Sequence, residues 1–143
     1  MKALVLVAAG VAALVLSTTT TAAQRGTATL TVRSSSFGKV LFDGRGFVLY
    51  AFTKDARRSA CSGACARKWP PYVAHGSLHA GPNVSRSLLG TVRRANGALQ
   101  VTYGGRPLYY YVGDSSPGQI LCQNVSEFGG LWLIVRPSGK LVR

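Results

Sequence analysis

The feature that most constrains the fold of this chain is a seven-residue phrase that occurs twice. Residues 49–55 read LYAFTKD and residues 108–114 read LYYYVGD, at an offset of 59 residues. Each copy ends in an Asp, and each is followed by a glycine-containing loop and then a Trp, at Trp69 and Trp132. A sequence that repeats itself at this distance indicates a supersecondary unit that is built twice.

Short apolar stretches bounded by Gly predict β-strands around each copy. GKVLF leads into Asp43-Gly44, a dipeptide typical of hairpin turns, and GFVLYAF follows it. ALQVTY and RPLYYYV repeat this plan around Gly104-Gly105, and LWLIVRP is a last strand. A hairpin of this size cannot bury its apolar face alone. The sequence therefore predicts a mainly β, small single domain of two hairpin or meander repeats, packed together about a pseudo-two-fold axis.

The first residues have the pattern of a secretory signal peptide. Lys2 precedes an apolar run over residues 3–16, and a Ser/Thr stretch then leads to Ala22-Ala23. The run is short for a helix that spans a bilayer, so cleavage would leave no transmembrane helix in the exported protein. Because no Cys precedes Cys61, we expect a secreted or envelope protein that is not lipid-anchored by this signal.

The expected organisation follows from the signal and the two copies. We expect a signal peptide over residues 1–23, a Ser/Thr-rich leader over 24–36, and the duplicated β module over 37–143, with repeat one over about 37–71, a linker over about 72–98 and repeat two over about 99–139.

The motif Tyr-x-aromatic-x-x-Asp resembles the signature of a bacterial family of secreted repeats of unknown function, many of which are predicted lipoproteins. The resemblance extends through CSGACARKWPP, LLGTVRRANGALQVTYGGRPLYYY, SSPGQ and FGGLWLIVRPSG, and covers residues 38–139. It implies a duplicated extracytoplasmic module with no established enzymatic activity. The residues that carry the family motif are Tyr50, Phe52, Asp55, Tyr109, Tyr111 and Asp114.

The repeated Asp has two interpretations. Just beyond a strand end, an Asp can accept hydrogen bonds from later backbone N–H groups and hold a turn. Alternatively, Asp55 and Asp114 could meet across the pseudo-two-fold axis as paired carboxylates, for acid–base catalysis in a hydrolase or for binding a cation. No other acidic cluster or nucleophile supports that alternative, so we expect the turn-holding role, no catalytic residue and no cofactor.

The cysteines also leave alternatives open. Outside the cytoplasm, Cys61 and Cys65 are expected to form a disulfide, because Gly63 lies between them and a turn can bring them together. The alternative is a metal-binding or redox protein in which His75 and His79 join the two cysteines. The pairing state of Cys122, the odd thiol, stays open.

The aromatic side chains of the motif are expected to share a face. Alternation along a strand places Tyr50 with Phe52, and Tyr109 with Tyr111. These pairs would form either a compact core or an aromatic-lined cleft. In the same way, Trp69 and Trp132 are either packing anchors or the floor of a ligand groove.

The charge of the chain favours anionic partners. Seventeen Lys and Arg face four Asp and Glu, for a formal net charge of +13. Such an imbalance favours an anionic cell-surface polymer or envelope protein as the partner. The bases are spread out, and Arg57-Arg58 and Arg93-Arg94 are only pairs, so specific nucleic-acid binding is not expected. We therefore expect a non-catalytic module that binds a ligand or partner, or that is structural.

Overall fold

A computed structural model describes residues 27–143 of the chain. The predicted signal peptide lies outside these residues and stays a prediction. The predicted mainly β class is confirmed, since the described part contains nine strands and only one short α-helix. The elements are β1 (Ala28–Ser35), β2 (Gly38–Asp43), β3 (Tyr50–Phe52), α1 (Ala64–Lys68), β4 (Leu78–Ala80), β5 (Leu89–Arg93), β6 (Leu99–Tyr103), β7 (Arg106–Pro107), β8 (Val125–Glu127) and β9 (Gly130–Ile134).

The first sheet has β1 at its centre. β1 pairs antiparallel with β2, from Leu30 opposite Asp43 to Ser35 opposite Gly38, and parallel with β4. Ala28 and Leu30 are buried on alternate positions, as a strand with one face on the core requires. This strand lies in the segment expected to be a leader. Its alternation is visible in the sequence, but its partner β2 is recognised only in the fold.

The turn after β2 is held by a buried carboxylate. Asp43 Oδ1 accepts the backbone N–H groups of Arg45 and Phe47 at 2.9 Å each. Its Oδ2 accepts the Tyr110 hydroxyl at 2.9 Å and pairs with the Arg45 guanidinium. Gly46 completes the turn with a φ of +95°, a conformation that favours glycine. The reversal predicted at Asp43-Gly44 is therefore present, and its Asp also ties the turn to the second repeat.

A second sheet, of order β3-β9-β8, and isolated bridges join the two repeats. In this sheet, β3 pairs antiparallel with β9, so that Tyr50 faces Ile134. Tyr109, the counterpart of Tyr50, bridges Pro71. Ile134 and Pro71 each lie two residues after a Trp, so each motif strand pairs with the chain that follows the other repeat's Trp. These are the pairings that a two-fold relation requires, although the two-fold packing of the whole repeats stays a prediction.

The segment expected to be a linker contains regular structure. Within residues 72–98, β4 joins the first sheet and β5 pairs antiparallel with β6, with Leu89 opposite Tyr103. The third sheet has the order β5-β6-β7. Both strands are short and only half-buried, and this is why their apolar pattern is too brief to predict from the sequence.

A run of four aromatic rings forms the core between the repeats. Trp69 and Trp132 stack with ring centroids 4.0 Å apart and planes 4° apart. Phe52 stacks on Trp132 at 4.2 Å, and Tyr111 packs on Trp69 at 4.8 Å. The offset relates Phe52 to Tyr111, so each Trp contacts both the other repeat's Trp and the other repeat's motif aromatic. This aromatic run therefore belongs to both repeats at once.

Among residues 27–143, the structure has no helix that is long and apolar enough to cross a membrane.

The stacked indoles give a spectroscopic prediction, because the chain has only two Trp. Two indoles in close contact couple their electronic transitions, so an exciton couplet of this pair in the far-UV circular dichroism spectrum arises only while both rings are present. Trp69→Phe and Trp132→Phe should each abolish the whole couplet rather than half of it, while Tyr103→Phe, a buried substitution outside the run, should leave it intact. A couplet that persists in either single Trp variant would contradict the stacking.

Candidate functional site

The two Tyr-x-aromatic-x-x-Asp motifs meet in the core of the molecule and exchange hydrogen bonds. The backbones of Tyr50 and Tyr109 donate to each other's carbonyl oxygens at 2.9 Å in both directions. The Tyr50 hydroxyl donates to Asp114 Oδ2 at 2.7 Å, and the Tyr109 hydroxyl donates to Asp55 Oδ2 at 2.8 Å. The Tyr of each repeat is therefore bonded to the Asp of the other.

The second oxygen of each Asp holds the loop that follows it. Asp55 Oδ1 accepts the backbone N–H of Ala60 at 2.7 Å, and Asp114 Oδ1 accepts that of Leu121 at 2.9 Å. Both oxygens of each carboxylate are thus bonded within the protein. Each Asp faces a Tyr rather than the other Asp, so the geometry is that of two turn-holding corners and lacks the paired carboxylates that the catalytic alternative requires.

Burial sets the electrostatics of this exchange. Loss of solvent raises the pKa of Asp114, while the Tyr50 hydroxyl and the Leu121 N–H act in the opposite direction. Burial also raises the pKa of Asp55, and three neighbours partly offset this rise: the Ala60 N–H, the Tyr109 hydroxyl and the Arg94 charge. Burial also raises the pKa values of Tyr50 and Tyr109 far above their usual range. Both hydroxyls therefore remain protonated donors at neutral pH.

The motif aromatics face the seam between the repeats. Tyr50, Phe52 and Tyr109 are buried, as are Trp69 and Trp132. Only Tyr111 is half-buried. The two indoles have no exposed surface, so neither ring is open to a ligand in this conformation. No exposed ring face therefore supports the interpretation of these indoles as the floor of a ligand groove.

The predicted disulfide is present. Cys61 and Cys65 are bonded, with their Cα atoms 5.3 Å apart, and Gly63 supplies the turn between them with a φ of +55°. His79 lies on β4 and His75 lies three residues before that strand, and both side chains are exposed. Across residues 27–143 no three His, Cys, Asp or Glu side chains cluster as metal ligands would. The metal-binding alternative is therefore not assembled, because the sulfur atoms of its two cysteines are bonded to each other.

Cys122 is the structural counterpart of Cys61. Each follows directly after the N–H group that binds the motif Asp, which is Ala60 in the first repeat and Leu121 in the second. The second repeat has Phe128 four residues before its Trp, where the first has Cys65. Cys122 is accordingly a free thiol. It lies beside Tyr111 and raises the pKa of that hydroxyl.

The fourth carboxylate is also bonded internally. Glu127 pairs with Lys68 and accepts the Trp69 indole N–H at 3.1 Å. With Asp43, Asp55 and Asp114, every Asp and Glu side chain of the sequence is bonded to a donor of the fold. Only two ion pairs, Arg45–Asp43 and Lys68–Glu127, occur among the described residues.

An arginine cluster is the feature that the sequence did not reveal. Arg57-Arg58 and Arg93-Arg94 lie 36 positions apart, but the fold brings both pairs to the rim of one cleft. Arg94 joins its walls, because its guanidinium donates to Ser59 Oγ at 2.6 Å and to the Cys61 carbonyl at 2.7 Å. The only signal in the sequence was the presence of two basic pairs. Their spacing does not match the repeat offset, so nothing linear predicts that they meet.

The buried Tyr50–Asp114 bond predicts a pH-dependent effect of Tyr50→Phe. Loss of a hydrogen bond to a buried carboxylate should lower the free energy of unfolding by about 1.5–3 kcal/mol near neutral pH. The Tyr50 hydroxyl lowers the pKa of Asp114, so its removal raises that folded-state pKa further above 3.8. The deficit should therefore be small at about pH 3, where the carboxyl is protonated, and should grow as the pH rises through the folded pKa.

Urea unfolding at several pH values measures this effect, and Tyr103→Phe is the matched control. The Tyr103 hydroxyl donates at 2.7 Å to the carbonyl of Pro137, which does not titrate. The loss in the free energy of unfolding caused by Tyr103→Phe should not change over the same pH range. A deficit for Tyr50→Phe that is flat with pH, or that grows on acidification, would contradict the assignment.

A comparison with protein families finds two repeats in the chain. The sequence model of the family described as a secreted repeat of unknown function matches residues 31–72 and again residues 90–136. The two matched segments contain the two Tyr–Asp motifs. Neither a curated protein nor a solved structure matches the chain. The chain therefore belongs to the family of secreted repeats of unknown function.

Proposed function

We propose that the chain is a non-catalytic extracytoplasmic module that binds an anionic polymer through its basic surface. The observation that carries the proposal is the position of the carboxylates. All four are bonded within the fold, whereas the sequence has 17 Lys and Arg, and the described residues form only two ion pairs. Most of the positive charge therefore has no acidic partner on the protein itself, and an anionic partner would neutralise it.

The bonding of the motif carboxylates supports a non-catalytic role. A general base needs a free oxygen that a substrate proton can reach. In both Asp55 and Asp114, one carboxylate oxygen already accepts a Tyr hydroxyl and the other accepts a backbone N–H. Displacing either donor would break a contact between the repeats or release a loop.

The description of the family as secreted supports an extracytoplasmic location. There the abundant polyanions are polymers of the cell surface, whose charges are closely spaced. A small, strongly basic domain binds such polymers through counterion release, so its affinity depends steeply on salt. An envelope protein with an acidic surface would satisfy the same charge but would present fewer charges per unit length.

Binding to three dextrans of the same backbone tests this proposal. We expect the purified full-length secreted protein to bind dextran sulfate, but neither neutral dextran nor a cationic dextran. The dissociation constant for dextran sulfate should rise at least about tenfold between about 50 mM and 200 mM salt. Equal binding to neutral dextran, or no binding to dextran sulfate at low salt, would overturn the proposal.

A further inference from the structure

The arginine cluster lines a cleft of about 580 Å³ between the loop after β3 and the end of β5. One wall is the loop that carries the disulfide, and the other is the turn that leaves β5. The lining residues are Arg57, Arg58, Ser59, Cys61, Ser62, Val92, Arg93, Arg94 and Ala95. The lining therefore has four guanidinium groups, two hydroxyls, no carboxylate and no aromatic ring.

The walls of this arginine cleft are held by the fold rather than by a ligand. Asp55 accepts the Ala60 N–H within the loop, and the Cys61–Cys65 disulfide closes its far end. Arg94 fastens the loop to the second repeat, because its guanidinium also donates to Gln100 Oε1 at 2.7 Å. Gln100 is fully buried. A site that is preorganised in this way avoids part of the ordering cost of binding.

Three of the four arginines keep their charge available. Arg57, Arg58 and Arg93 are exposed, and no carboxylate among the described residues lies within ion-pair distance of them. Arg93 donates only to the Gly97 carbonyl. Guanidinium groups stay protonated at every physiological pH. Like charges gathered in one cleft repel one another, and an anion bound between them would remove that repulsion.

We propose that this cleft binds the phosphate groups of an anionic polymer, an inference that rests on the proposed function and gives it a site. The planar fork of Arg pairs with phosphate through two parallel hydrogen bonds, and three guanidinium groups without a carboxylate partner suit an oxyanion with several charged oxygens. Ser62 adds an exposed hydroxyl donor at the rim.

The lining also distinguishes among phosphate polymers. Proteins that hold single-stranded nucleic acid stack the bases on aromatic side chains, and the cleft has none. It also has no carboxylate or amide side chain among its lining residues to recognise sugar hydroxyls. The cleft is therefore suited to the phosphate chain itself rather than to a base or a sugar.

The test measures the dissociation constant of the full-length protein for inorganic polyphosphate and for poly-L-glutamate of equal charge. The cleft variant is Arg57→Ala with Arg58→Ala. The matched control is Arg86→Ala with Arg106→Ala, which removes the same charge from exposed positions outside the cleft. Arg57→Lys with Arg58→Lys keeps the charge and removes the forks. Thermal midpoints confirm that each variant is folded.

We expect the cleft variant to weaken polyphosphate binding at least about tenfold and to lower the slope of log Kd against log salt by about two, one per lost contact. The control should change Kd less than about threefold with little change of slope, and the Lys variant should fall between them. Poly-L-glutamate should bind more weakly and respond equally to both double Ala variants.

The remaining outcomes distinguish a failure of the cleft assignment from a failure of the proposed function. Equal losses in the cleft and control variants for polyphosphate would overturn the cleft and leave the proposed function intact. Equal affinity for poly-L-glutamate, with the same sensitivity to the cleft variant, would overturn the assignment to phosphate. Failure to bind either polymer, or dextran sulfate, would overturn the proposed function itself.

Discussion

The structure depends on one exchange of hydrogen bonds, in which the Tyr of each motif donates to the Asp of the other. Tyr50 reaches Asp114 and Tyr109 reaches Asp55, across a pair of backbones that are bonded to each other at the same point. Each Asp then holds the loop that leads to its own repeat's Trp, and the two indoles stack between the repeats. Because every one of these contacts crosses or borders the seam, neither repeat completes its core without the other.

The internal bonding of the carboxylates leaves most of the basic side chains without an acidic partner. All four acidic residues are bonded within the fold, and only two of them also pair with a base, Asp43 with Arg45 and Glu127 with Lys68. The seam is also connected to the arginine cleft. Tyr109, Ser59 and Arg94 form a chain of hydrogen bonds with distances of 2.6 Å each. A buried structural motif thus positions one wall of the cleft for which we propose phosphate binding.

Much of this fold is visible in the sequence, because strand alternation, the Asp-Gly turn and the repeated motif are local signals. The disulfide is equally local, since Gly63 permits the tight turn between Cys61 and Cys65. What the sequence does not contain is the choice of partner. Nothing in LYAFTKD tells whether Tyr50 will bond Asp55 or Asp114, and nothing in two separated Arg pairs tells that they will meet. β1 was expected to be a leader for the same reason, since its partner is fixed only by tertiary packing.

Double-mutant cycles on the two Tyr–Asp pairs test this account most directly. Tyr50→Phe should couple with Asp114→Ala, and Tyr109→Phe with Asp55→Ala, by about 1–2 kcal/mol in the free energy of unfolding. The crossed cycles, which combine each Tyr with the Asp of its own repeat, should give coupling within about 0.5 kcal/mol of zero. Coupling that followed the repeats instead of crossing between them, or that was absent from all four cycles, would contradict the exchange on which the structure depends.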